Sequence, residues 1–99
     1  MKKFIQHDPP HPGEILLEFY LDPLGLTVTE ASDKLLITRP NLSTIVNKRA
    51  GISPLMALKL ARAFKTTPHY WMNLQANYDL WHAMNNNKGV TDQVEQLVK

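Results

Sequence analysis

Between Thr27 and Asn47 the chain carries two helix-start signals only eleven residues apart, which leaves room for two short helices and almost nothing between them. In Thr27-Val28-Thr29-Glu30 the threonine hydroxyl can accept from the Glu30 amide while the Glu30 carboxylate reaches back to the Thr27 N–H, so a helix should begin at Val28. Val28, Ala31 and Leu35 recur at three and four residues and face inward, while Thr29, Glu30, Asp33 and Lys34 stay wet. Thr38 caps the next helix, with Arg39 and Pro40 in a first turn whose N–H groups lack intrahelical acceptors. Leu42, Ile45 and Val46 form its buried side. Arg39, Asn41, Ser43, Thr44 and Asn47 are left together on the exposed side, with hydrogen-bonding groups of a length that suits base edges and phosphates.

This is the pattern of a helix-turn-helix, and it makes Thr38, Arg39, Pro40, Asn41, Ser43, Thr44, Asn47, Lys48 and Arg49 the candidate DNA-binding residues. Periodicity alone would equally describe any two packed helices with a polar surface. Charge separates the two readings. From Lys34 to Tyr78 the chain holds Lys34, Arg39, Lys48, Arg49, Lys59, Arg62 and Lys65 and not one Asp or Glu, although its net charge is only +2. The acids lie in the flanks: Asp8, Glu14, Glu18, Asp22, Glu30 and Asp33 before, Asp79, Asp92 and Glu95 after. A locally basic face on a nearly neutral protein suits phosphate binding, whereas an ordinary solvated face mixes signs.

At 99 residues and 43% hydrophobic content the chain supports one domain with a single modest core. It has no cysteine, which excludes disulfides, thiolate catalysis and zinc-finger chemistry. No apolar run approaches the roughly 18 residues of a membrane span, and Met1-Lys2-Lys3-Phe4-Ile5-Gln6-His7 lacks a signal-peptide core, so a cytoplasmic protein with no membrane partner is expected.

No strand pattern appears, and the expected fold is all-α with five helices. His11-Pro12-Gly13-Glu14 opens the first, with Ile15, Leu16, Phe19 and Tyr20 as its core face and Pro23 and Gly25 ending it. Ala50-Gly51-Ile52 turns the chain after the recognition candidate. Ser53-Pro54 starts a fourth helix with Leu55, Leu58, Ala61 and Phe64 inward, and Thr67-Pro68 starts a fifth that runs to about Trp81 with Trp71, Leu74, Tyr78 and Trp81 at near-helical spacing. Asn85-Asn86-Asn87-Lys88-Gly89 reads as a linker. Beyond it Val90, Val94, Leu97 and Val98 fall on one side of either a short helix capped by Thr91 or a frayed tail. The organisation is thus a flexible arm over 1–10, the DNA-binding and dimerisation domain over 11–84, and a C-terminal tail over 85–99.

His11-Pro12-Gly13-Glu14, the central helix-turn-helix, and the run Thr67-Pro68-His69-Tyr70-Trp71-Met72-Asn73-Leu74-Gln75-Ala76-Asn77-Tyr78-Asp79-Leu80 together resemble the HigA family of antitoxins, within the lambda-repressor-like (Xre) group. The likeness covers roughly Pro10 to Trp81, and its last patch is the specific one. The resemblance implies an antitoxin of a type II toxin-antitoxin system: a homodimer that binds operator double-stranded DNA, represses its own operon, and neutralises a messenger-RNA-cleaving toxin of the HigB type. It places the major-groove helix at Arg39 to Asn47, anchored by Leu42 and Ile45, and the dimer interface on the fifth helix at Trp71, Leu74, Tyr78 and Trp81. A stand-alone Xre-type repressor and a toxin-masking module with little DNA binding are the alternatives. Two departures bear on the latter. Leu36 stands where the family often has glycine, and a non-glycine residue at positive φ costs about 1–2 kcal/mol. Asn47-Lys48-Arg49 replaces an Arg-Gly-Lys type sequence, with Asn47 able to take a left-handed cap.

Other chemistry finds little footing. His7 and His11 sit in a proline-rich segment read as flexible, and neither His69 nor His82 has a cysteine or carboxylate at ligand spacing on its helix face, so no metal or cofactor is expected. Ser32, Ser43 and Ser53 stand in no nucleophile motif, so no enzyme is expected. Trp71, Tyr78 and Trp81 fit core or dimer burial better than a base-stacking platform, since they share a stripe with Leu74. Lys59, Arg62 and Lys65 read as a solvated face.

Overall fold

The computed structural model describes residues 8–99, so the arm expected over 1–10 lies, up to and including His7, outside the described residues. Among those described the chain forms five helices and no strand: α1 (Pro12–Leu16, running on through a π-helical turn, Leu17–Leu21), α2 (Val28–Leu35), α3 (Arg39–Val46), α4 (Pro54–Phe64) and α5 (Pro68–Asn86). A single 3-10 turn, Thr91–Gln93, follows.

Each helix begins on a side-chain cap. The Thr27, Thr38, Ser53 and Thr67 hydroxyls accept from the amides of Glu30, Asn41, Met56 and Tyr70 at 3.1–3.2 Å. The fifth cap departs from expectation. His11 is buried rather than flexible, its Nδ1 accepting from the Gly13 amide at 2.9 Å while the Glu14 carboxylate accepts from the His11 N–H at 3.2 Å. Gly13 then touches the end of α3, where a Cβ would overlap the Ile45 carbonyl oxygen. The His-Pro-Gly-Glu motif is therefore the seat of the recognition helix: a cap, a rigid first residue, a bare backbone surface, and a carboxylate closing the capping box.

Three of the helix ends share one device without glycine. Leu36, Lys48 and Lys65 follow α2, α3 and α4 with φ of 58°, 65° and 55°. After each, the next amide reaches back to a carbonyl five residues earlier: Ile37 to Ser32, Arg49 to Thr44, and Thr66 to Ala61. This is the Schellman closure, which usually places glycine at the left-handed position. Leu36 thus takes the strained conformation expected of it. At the end of α3 the left-handed residue is Lys48 and not Asn47, whose φ is −92°.

Trp71, Leu16, Leu21, Leu42 and Leu60 form the fully buried centre. The turn over Leu17–Leu21 sets the phase of α1, because the Asp22 amide donates to the Leu17 carbonyl five residues back. Leu16 and Leu21, five apart, both point inward, and Phe19 swings out to 63% exposure instead of joining the core. In α4 the inward residues are Met56, Ala57, Leu60 and Ala61, so of the expected four only Ala61 is buried, with Phe64 half-buried against the core. Leu55 and Leu58 are exposed. The supposed linker is partly helix: the Asn85 and Asn87 side-chain amides donate to the Trp81 and Ala83 carbonyls at 2.8 Å, and α5 continues to Asn86. Thr91 caps no helix, and Val90, Val94, Leu97 and Val98 are all exposed.

Candidate nucleic-acid interface

α3 is held from three sides. Leu42, Ile45 and Val46 sink into the core, Gly13 of α1 abuts its last turn, and the segment after it is anchored from α5, where Gln75 Oε1 accepts from the Ile52 N–H at 2.6 Å. Gln75 is itself fixed by donating to Asp79 at 2.9 Å. At the other end Lys59 Nζ donates to the Leu36 carbonyl at 2.9 Å, which ties the helix-helix turn to α4. Lys59 is half-buried and structural here, unlike the solvated lysine its sequence context suggests.

The face left outward carries Thr38, Arg39, Pro40, Asn41, Thr44 and Asn47, all exposed, and Ser43, which is half-buried. Their hydrogen bonds divide them. The Thr44 hydroxyl donates to the Asn41 carbonyl at 2.8 Å, and the Asn47 amide donates to the Ser43 carbonyl at 2.9 Å and hydroxyl at 3.2 Å, so these groups brace the helix itself. Arg39 Nε donates to the Thr29 hydroxyl of α2 at 3.0 Å, which orients the guanidinium, while among the described residues the terminal amino groups of this exposed side chain make no hydrogen bond. Among the described residues the Asn41 side-chain amide makes no hydrogen bond within the protein. Arg39 and Asn41 therefore present unengaged donors and acceptors on a rigid support, the arrangement suited to guanine and adenine edges in a major groove.

Arg49 lies exposed beyond the end of α3. Lys48 does not join the row: it lines a separate depression with Asp8, His11, Glu14, Tyr78 and His82. There the His11 and Tyr78 rings meet edge-on at 4.8 Å and Tyr78 packs on His82 at 4.2 Å, so the imidazoles serve as packing surfaces. Burial pushes the His11 imidazole below the ordinary histidine value, Glu14 opposing and Lys48 reinforcing the shift. Among the described residues no three His, Cys, Asp or Glu side chains gather as a metal site, and no helix is long and apolar enough to cross a membrane. Of the fifth-helix residues expected at a dimer contact, one is internal and three keep part of their surface. Trp71 is fully buried, its Nε1 donating to the Thr66 hydroxyl at 2.7 Å, and has no surface to offer a partner. Leu74, Tyr78 and Trp81 are half-buried.

Local sequence could not reveal Thr29, Gln75 and Lys59, since their partners lie 10 and 23 residues away. Gly13 was visible only as part of a motif.

A short capped helix, seated on α1, backed by α2 and presenting a polar row on acid-free chain, is the architecture of a helix-turn-helix protein. The family model described as Helix-turn-helix matches residues 17–71. Virulence-associated protein A of Dichelobacter nodosus is 49% identical over 74 residues, 74% of this chain and 72% of that protein. Antitoxin HigA-1 of Vibrio cholerae is 34% identical over 77 residues, 78% of this chain and 72% of that protein. A solved structure of the Pseudomonas aeruginosa antitoxin HigA with the higBA promoter superposes with a TM-score of 0.85 at 36% identity, covering 91% of this chain and 99% of that one. The chain belongs to the helix-turn-helix family, in the group that includes the HigA antitoxins.

Proposed function

We propose that this protein is an antitoxin that binds the operator of its own operon as a homodimer, places α3 in the major groove, and masks a messenger-RNA-cleaving toxin of the HigB type. It acts in the cytoplasm, by binding and not by catalysis. The observation that carries the reading is the pairing of Arg39, oriented by Thr29, with the unengaged Asn41 amide on the outward side of α3. The structure of a HigA with its promoter, similar over nearly the whole chain, supports it. The regular closure after Leu36 and Lys48 weighs against a toxin-masking module that has lost DNA affinity, since both departures from the family pattern are absorbed without distorting α3.

Arg39→Ala and Asn41→Ala should each weaken operator binding by about 1–3 kcal/mol, roughly 5- to 150-fold, if each removes one bidentate base contact. Toxin neutralisation in a growth-rescue assay should be unchanged. Loss of toxin binding in both variants would show that the two surfaces are not separate.

A further inference from the structure

The two helices of the motif begin side by side. Thr29 is the second residue of α2 and Arg39 the first of α3, and the Arg39 Nε donates to the Thr29 hydroxyl at 3.0 Å across ten residues of sequence. Both side chains are exposed, so burial does not hold them together. Thr29 is the fixed member of the pair: it follows the Thr27–Glu30 capping box, its carbonyl accepts from the Ser32 hydroxyl at 2.8 Å, and its β-branched side chain has few rotamers. The acid beside it does not compete for the arginine, because Glu30 accepts from the Thr27 N–H at 3.0 Å and from the Thr27 hydroxyl at 3.2 Å. The kind of acceptor matters. A carboxylate would take two prongs of the guanidinium and neutralise it, whereas a hydroxyl takes one N–H and leaves the charge whole.

We propose that Thr29 is a positioning residue that sets the base α3 reads: by holding Arg39 Nε it leaves the Nη1 and Nη2 groups to meet a guanine end-on, and so fixes one operator base pair as G·C. This rests on the DNA-binding function proposed above and adds to it a determinant of sequence choice on α2. A guanidinium offers two edges that can engage guanine O6 and N7 together, one formed by Nε with a terminal amino group and one by the two terminal amino groups. The Thr29 bond spends the first. The second edge carries donors only, which suits the two acceptors of guanine and meets the N6 amino donor of adenine with a mismatch. Holding the side chain in advance also cuts the rotamer freedom lost on binding. An exposed arginine without that restraint turns as readily to a phosphate, which attracts its charge and carries no sequence information. Thr29 therefore governs discrimination between bases more than affinity for DNA.

The test compares the full-length protein with Thr29→Val, which keeps the shape and removes the hydroxyl, and Thr29→Ser, which restores it. Neither touches the cap of α2, which Thr27 supplies. The probes are the duplex upstream of the protein's own gene and a shuffled duplex of equal length. Replacing each guanine in turn by 7-deazaguanine, which lacks N7, identifies the one whose penalty disappears in Arg39→Ala. At that position a change from G·C to A·T should cost wild type and Thr29→Ser about tenfold or more in affinity, and Thr29→Val less than about threefold. All three should bind the shuffled duplex alike. In the free protein the Arg39 Nε–H should exchange with solvent faster in Thr29→Val than in wild type or Thr29→Ser, with the backbone amide spectrum otherwise unchanged. The proposal is overturned if Thr29→Val keeps the wild-type discrimination, if it weakens binding to every duplex equally, as loss of a phosphate contact would, if Thr29→Ser fails to restore discrimination, or if no guanine couples to Arg39. Absence of any preference of wild type for its own duplex over the shuffled one would overturn the DNA-binding function itself, and this proposal with it.

Discussion

His11 shows how one side chain can couple a distant motif to the reading surface. As the cap of α1 it must accept from the Gly13 amide, which only neutral imidazole can do, and α1 in turn supports α3 through Gly13. Burial holds its folded value below the 6.5 of the unfolded chain, so protonation favours unfolding. Its contribution is complete above about pH 6.5 and is lost as the pH falls through that value toward the lower folded one. Glu30, held below the usual carboxylate range by its bonds to Thr27, acts only in more acidic solution. Urea unfolding at pH 7.5 and 5.5 should therefore show a clear loss at the lower pH, and His11→Asn, which keeps a capping acceptor without a titrating ring, should flatten it. An unchanged pH dependence in His11→Asn would assign the effect elsewhere. Sequence placed a helix start at His11 but read the residue as flexible, because its burial comes from Tyr78 packing on it from α5, and no local pattern encodes that contact.

At the scale of elements, what was legible was local. Five N-caps join groups two or three residues apart, and all five helix starts were visible from the sequence. Phase was less legible. One extra residue per turn in α1 exchanged Phe19 for Leu21 in the core, and α4 offered apolar residues on two faces, of which burial chose Met56 and Leu60 over Leu55 and Leu58. The asparagine run looked like a linker because its propensity is poor, yet its side chains bond back to the helix. The three left-handed residues carry a testable cost. Lys65 sits beside Phe19 and Phe64, in a groove that no α3 residue lines, so Lys65→Gly should relieve strain without touching the interface. A gain of about 0.5–1 kcal/mol is expected after the entropy glycine adds to the unfolded chain, a rise of several degrees in Tm by calorimetry, with DNA affinity unchanged. No rise would mean that the Lys65 side chain makes up the strain by packing.

The whole molecule is organised by charge as much as by helix packing. Seven cations and no acids occupy residues 34–78, which contain α3, α4 and the turns around them, while the acids stand before Lys34, in and around α1 and α2, and beyond Tyr78. That partition was fully legible in the sequence. The exposure of Leu36, Leu55 and Leu58 was not, because it depends on which apolar residues the fold leaves over. The described residues span 51 × 24 × 22 Å, with the tail exposed throughout. The most direct test of a DNA-reading antitoxin is a salt titration of its binding to the DNA upstream of its own gene, beside a shuffled duplex of equal length. Selective binding is expected, its log affinity falling steeply with log salt, by about 0.9 for each phosphate neutralised. Weak binding, equal for both duplexes and insensitive to salt, would contradict it.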